Sequence, residues 1–259
     1  MPIVDLILKN ADSLVFNANE NKIIRQTVDI SVKNGKIHEI NTHINESTSQ
    51  QILNLNGLTL LPGVIDSQVH FREPGLTHKE DIESGTRAAI LGGVTSVFEM
   101  PNTNPSTTTE AAFYEKMNLA KNRAHCNYAF FMGASSDNVQ NLRQLEKLPH
   151  SPGIKIFLGA SFGSLLVDDD FVFEEVMKNG SKRLTIHSED EARLKIRKKI
   201  AEESGHPRSH SIWRDEESAM ISTKKSIALA KKYSRQVHIL HVSSSEEMEF
   251  LKNNKDTCS

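Results

Sequence analysis

From Pro62 onward, short apolar runs alternate with stretches of helical period, and this alternation limits what the chain can fold into more than any other feature. Apolar segments at 64–65, 94–98, 126–131, 153–157, 184–187 and 237–242 read as six buried strands. Between and after them, 81–91, 108–123, 137–148, 168–178, 189–203, 215–233 and 245–253 read as helices. Strand–helix alternation of this kind builds a parallel sheet covered by helices. Four of the strands end on or beside a residue able to bind a metal or polarise a carbonyl. Chemistry at successive strand ends is how a (β/α)8 barrel makes an active site. The expected class is therefore α/β, a TIM-type (β/α)8 barrel, and the leading chemistry is metal-assisted hydrolysis.

Closure takes eight strands, and residues 62–259 supply six βα units in less than the roughly 250 residues that such a barrel occupies. An open parallel barrel leaves two unpaired strand edges. The barrel therefore reads as incomplete, with its C-terminal strands missing. Residues 1–61 follow another pattern. Short alternating runs at 3–9, 14–17, 28–33 and 36–40, with Asn34-Gly35 as a hairpin turn, predict a small β-sandwich part with a structural role. The domain expectation is 1–61 for that part and 62–259 for the hydrolase barrel.

A net charge of −2 gives no electrostatic case for nucleic acid or an anionic membrane surface. No apolar run approaches the ~20 residues of a membrane span, and the first residues lack a signal-peptide pattern. Two cysteines, Cys126 and Cys258, are too few for a disulfide framework or a thiolate zinc site. A cytoplasmic protein is expected.

The candidate site residues fall at the strand ends. Asp66, Gln68, His70 and Arg72 follow the first apolar run, and Glu99 and Asn102 follow the second. Lys155 sits inside the apolar run Ile154-Lys155-Ile156, where an unpaired ammonium is costly. His187 and His241 close the fifth and sixth strands. His238 precedes His241 by three residues, so alternation assigns it to the opposite face and a structural role. His206, His210, Trp213 and Arg214 lie in a connecting segment that is expected to cover the barrel mouth.

Five segments together carry a family resemblance: His70-Phe71-Arg72-Glu73-Pro74-Gly75, Gly92-Gly93-Val94-Thr95, Met100-Pro101-Asn102-Thr103-Asn104-Pro105, His187-Ser188-Glu189-Asp190 and His241-Val242-Ser243-Ser244. In this order they resemble the dihydroorotases of the amidohydrolase superfamily. The resemblance implies reversible hydrolysis of dihydroorotate to carbamoyl aspartate in pyrimidine synthesis, with one or two zinc ions activating water. It assigns His70, His187 and His241 as metal ligands and Arg72 and Asn102 to the substrate carboxylate. It offers two readings of Lys155: a carboxylated lysine bridging two metals, or a lysine whose charged end reaches the barrel mouth. An aspartate near Asp168, Asp169 and Asp170 is the alternative bridge, although that run reads as a helix start.

Gln68 departs from the family pattern, standing where a histidine is usual. Its neutral amide oxygen is a weak zinc ligand, so a two-metal site is undermined. Asp66 is either a carboxylate that orients a ligand or a turn residue. The aspartate that shuttles the proton at the end of strand eight has no counterpart in the sequence, so the catalytic acid–base residue is unassigned. Three alternatives accompany the dihydroorotase reading. One is a non-catalytic subunit supporting aspartate carbamoyltransferase or self-associating. Another is an inactive remnant, and the third is a cyclic amidase acting on allantoin or a hydantoin.

Overall fold

A computed structural model of the chain describes residues 4–161 and 163–259 and divides it into two compact units, Met1–Gly63 and Val64–Ser259. Residue 3, the start of the first predicted strand, lies outside the described residues.

The first unit is built from five strands: β1 (Leu6–Asn17), β2 (Lys22–Lys33), β3 (Lys36–Asn41), β4 (Ile52–Asn54) and β5 (Thr59–Leu60). They form one sheet in the order β3-β2-β1-β4, with β5 also beside β1. A sandwich of two layers was expected, and the described residues hold one layer. The reason is continuity: runs that looked separate at 3–9 and 14–17 belong to one long strand, β1. Its pairing with β2 shifts register between Leu8 and Ala11, where Asn10 takes a positive φ of 53°. The Asn34-Gly35 turn has positive φ at both residues, as a tight hairpin requires, and joins β2 to β3.

The second unit alternates strand and helix. Its strands are β6 (Val64–Val69), β7 (Val94–Glu99), β8 (Asn127–Phe130), β9 (Met132–Gly133), β10 (Ile154–Phe157), β11 (Leu184–His187) and β12 (Val237–Ile239). Its helices are α1 (Ile82–Leu91), α2 (Glu110–Ala120), α3 (Leu142–Leu145), α4 (Asp170–Lys178), α5 (Glu191–Ser204), α6 (Ser209–Trp213), α7 (Glu216–Lys232) and α8 (Ser245–Lys252). Every strand pair is parallel and follows chain order. One sheet is β6-β7-β8 and the other is β9-β10-β11-β12. The stretch 127–133 serves both, because only Phe131 separates β8 from β9. The backbone N–H of Phe131 donates to the Glu99 carbonyl, 2.9 Å away. Six strand positions thus stand in sequence order.

The helix starts are chemically marked. Asp81, Thr109, Asp169, Asp190, Asp215 and Ser244 each cap a helix by accepting a hydrogen bond from a backbone N–H three residues on. The Asp168–Asp170 run is therefore a helix start: Asp169 is the cap, while Asp168 and Asp170 pair with Lys195 and Lys225. The core lies between sheet and helices and includes Ile154, Ile156, Leu184, Ile186, Val237 and Ile239 from the strands. Phe113 and Phe173 enter it from α2 and α4. Truncating either ring to Ala is expected to cost about 3–5 kcal/mol. The segment predicted as a helix at 137–148 is a 3-10 turn, Val139–Asn141, followed by the single turn of α3.

Candidate metal centre

Strand β10 organises the site. Ile154 and Ile156 face the core, so alternation turns Lys155 and Phe157 the other way. Lys155 is 1% exposed, and its Nζ has no hydrogen-bond partner among the described residues. It lies 4.5 Å from the centroid of the Phe157 ring. Burial drives its pKa well below that of an ordinary lysine.

His187 closes β11 in register with Phe157, and the two rings are 5.8 Å apart. Its Nε2 lies 2.6 Å from Glu189 Oε2. Arg214, just beyond α6, holds the same carboxylate, with Nε 2.8 Å from Oε1 and Nη2 on Oε2. Burial works against the Glu189 charge, but hydrogen bonds from His187 and Arg214 outweigh it and hold the pKa at about 2. An ionised acceptor at this distance places the imidazole proton on Nε2, and the Arg214 contact with Nε2 at 3.3 Å is then packing. Nδ1 of His187 therefore carries a lone pair.

That lone pair faces Nε2 of His241, 3.0 Å away. His241 lies two residues past β12 with a positive φ of 40°, and its ring meets His187 edge-on at 4.7 Å between centroids. The chain has left the strand by then, so alternation from His238 does not apply. The register instead aligns His238 with Thr185 and Lys155, on the lysine's face of the sheet. Its Nδ1 contacts Ser259 Oγ at 2.9 Å. The expectation of opposite faces thus failed because strand periodicity ended at Ile239.

His70 stands just past β6. Its Nδ1 is 2.8 Å from Asn102 Oδ1, which accepts the proton and leaves Nε2 with the lone pair. Asn102 is therefore turned onto a histidine, a contact its assignment to substrate did not anticipate. Burial first, then the charge of Arg72, lowers the His70 pKa to about 4. Burial, aided by His187 and Lys155, does the same for His241, also to about 4. Burial lowers His187 as well. Arg72 is half-buried at φ 62°, and its guanidinium makes no hydrogen bond among the described residues. Gln68 is half-buried; its backbone N–H donates to the Asp66 carboxylate within β6, where the pairing with β7 shifts register.

A cleft of about 640 Å³ opens on this region, lined by His187, Glu189, His210, Arg214, His241 and Glu247 among others. Of the connecting segment, His210 and Arg214 reach the cleft. Trp213 donates its indole N–H to the Leu194 carbonyl instead.

The donor set fits one divalent cation better than two. Two imidazole nitrogens on one tetrahedral zinc stand about 3.4 Å apart, close to the spacing of His187 Nδ1 and His241 Nε2. No group of three or more His, Cys, Asp or Glu side chains that could hold a metal converges among the described residues. The other half offers one imidazole, from His70, beside a neutral amide.

Three partners escaped the sequence reading. Glu189 and Arg214 were visible only as part of a motif and of a connecting segment. The third is Lys116 on α2, in a buried ion pair with Glu99, both 1% exposed. Alternation within β7 puts Glu99 on the side of Val97, toward the helix. Burial raises its pKa to about 7 against the pull of Lys116. A lysine within the apolar pattern of 108–123 was the available signal.

Parallel strands followed by helices, with imidazoles at strand ends and a lysine buried within a strand, define an α/β unit whose polar groups gather at the ends of its strands. Residues 59–257 match the Amidohydrolase family, and the chain belongs to it. It is similar to the dihydroorotase of Methanosphaera stadtmanae, 31% identical over 97% of this chain and 56% of that protein. The Multifunctional protein CAD of Squalus acanthias is 34% identical over 84% of this chain and 8% of its own length. The allantoinase of Escherichia coli O9:H4 is 31% identical over 95% of this chain and 54% of that enzyme. Among solved structures, the L-hydantoinase of Arthrobacter aurescens superposes with a TM-score of 0.88 at 23% identity, covering 99% of this chain and 57% of that one. This last likeness concerns the fold. The chain spans about half the length of the dihydroorotase and the allantoinase. No helix among the described residues is long and apolar enough to cross a membrane.

Proposed function

We propose that this chain has the chemistry of a dihydroorotase: hydrolysis of the cyclic amide of dihydroorotate to carbamoyl aspartate, in cytoplasmic pyrimidine synthesis, at a centre with one zinc ion. The observation that carries this reading is the pair of facing imidazole nitrogens on His187 and His241, 3.0 Å apart, together with the buried, unpartnered Lys155. When bound, a divalent cation lowers the pKa of water and polarises an amide carbonyl. His187 and His241 would hold it as neutral imidazoles. Carboxylation of Lys155 joins its nitrogen to the carbon of carbon dioxide, releases one proton and supplies an anionic third donor. Arg72 presents a guanidinium fork to the substrate carboxylate. Asn102 orients His70 through its oxygen and offers its amide N–H groups to the same carboxylate. Glu189 is held by two partners, so it orients His187 rather than shuttling a proton.

The test is zinc content together with turnover of dihydroorotate, allantoin and hydantoin by the zinc-loaded chain. Near-equimolar zinc with carbamoyl aspartate as product supports the reading. Turnover of allantoin without dihydroorotate would replace it with the allantoinase reading, which the 31% identity to that enzyme favours. Gln68 favours a second reading, a metal-free subunit supporting aspartate carbamoyltransferase. Co-elution with the transferase in the absence of zinc would select it.

A further inference from the structure

The two histidines sit on different strands, so their spacing depends on what ties β11 to the loop after β12. A buried polar chain does this. Ser188, next to His187, has its Oγ 3.0 Å from Ser222 Oγ and 2.8 Å from Thr223 Oγ1, both on α7. Thr223 donates to Glu247 Oε1 at 2.7 Å. Ser188 donates to Ser222, and its contact with Thr223 is one between two hydroxyls in which either oxygen can donate. Ser244, three residues past His241, donates to the other oxygen, Glu247 Oε2, at 3.0 Å, and also caps α8.

Thr223 is fully buried and Glu247 is 3% exposed. No cation lies within ion-pair distance of Glu247 among the described residues, unlike buried Glu99 and Glu146, which face Lys116 and Arg235. Glu247 also lines the same cleft as His187 and His241. A buried network of hydroxyls anchored on a carboxylate stiffens what it joins.

We infer that Glu247 is a positioning residue: through Thr223 and Ser188 on one side and Ser244 on the other, it sets the separation of the two imidazole nitrogens and so their grip on a divalent cation. The inference rests on the two-histidine centre proposed above. It is tested by titrating cobalt(II) into the full chain and into Glu247→Ala, Glu247→Gln and Thr223→Val, reading affinity and the visible absorption bands. Glu247→Ala is expected to weaken binding by about 10- to 100-fold, the usual effect of losing a partner behind a ligand, and to change the bands. Glu247→Gln can still accept from Thr223 and is expected to restore most of both. If Glu247→Ala does not fold, Thr223→Val carries the test, with a smaller loss and the same change of bands.

A folded Glu247→Ala, or Thr223→Val in its place, with wild-type affinity and bands would overturn the inference and leave the centre standing. A wild-type chain that binds no cobalt would overturn the two-histidine centre itself and this role of Glu247 with it.

Discussion

The two halves of the site use the same imidazole in different company. His187 gives its proton to an ionised carboxylate that Arg214 holds in turn. His70 gives its proton to the neutral amide oxygen of Asn102. Burial keeps both rings neutral, so protonation state does not distinguish them. Orientation and basicity do. A carboxylate behind an imidazole locks its tautomer and makes it a better donor to a metal, whereas an amide fixes only the orientation. His187 also has a second imidazole at chelating distance, while the residue two before His70 is Gln68. The comparison teaches that donor residues at matching strand ends are not equivalent, and that the partner behind each decides its strength.

The sharpest way to break this comparison is to remove one ring from each half. His187→Ala is expected to weaken cobalt(II) binding by more than about 100-fold, because losing even a partner behind a ligand costs 10–100-fold. It should abolish whatever turnover is present. His70→Ala should lose less than about tenfold in the same titration. Equal losses from the two variants would erase the distinction between the halves.

The weaker half can also be repaired. Gln68→His puts a second imidazole beside His70, and zinc per chain is expected to rise toward about two, read by metal analysis after dialysis. An unchanged zinc content would show that more than the amide at position 68 limits that half.

The smallest expected effect concerns the support behind the stronger half. Asp215 caps α7 and pairs with Arg193, which holds its pKa at about 2, below the ordinary 3.8. The folded value is the lower one, so this contribution is complete above the ordinary value and is lost as pH falls through about 2. Asp215→Asn keeps a capping oxygen and removes the charge. It should lower stability by on the order of 1 kcal/mol at pH 7, with the difference from wild type closing as pH approaches 2 in melting experiments. A difference independent of pH would remove the charge from the account.

Much of this was legible along the chain because the signals are local. Strand and helix periods, and the Asp, Thr or Ser before each of six helices, place those elements to within a few residues. His70, Lys155, His187 and His241 stood out because each interrupts or ends an apolar run. What escaped depends on contacts across elements. Glu189 looks like part of a helix-start motif until Arg214, 25 residues away, is seen on it. Glu247 looks like a first-turn acid of α8 until Thr223 reaches it. Asn102 reads as a contact of the substrate carboxylate until His70, 32 residues earlier, is seen on its oxygen.

By itself, then, the sequence determined the order of the parallel strands, the helix starts and the residue types at the strand ends, because backbone propensity and hydrophobic period act over a few residues. Only the tertiary structure decided that the first unit has one sheet, that His241 escapes the alternation set by His238, and which nitrogen of His187 holds the lone pair. Those outcomes depend on hydrogen bonds and burial between residues that sequence distance keeps apart, and their energies exist only once the chain has folded.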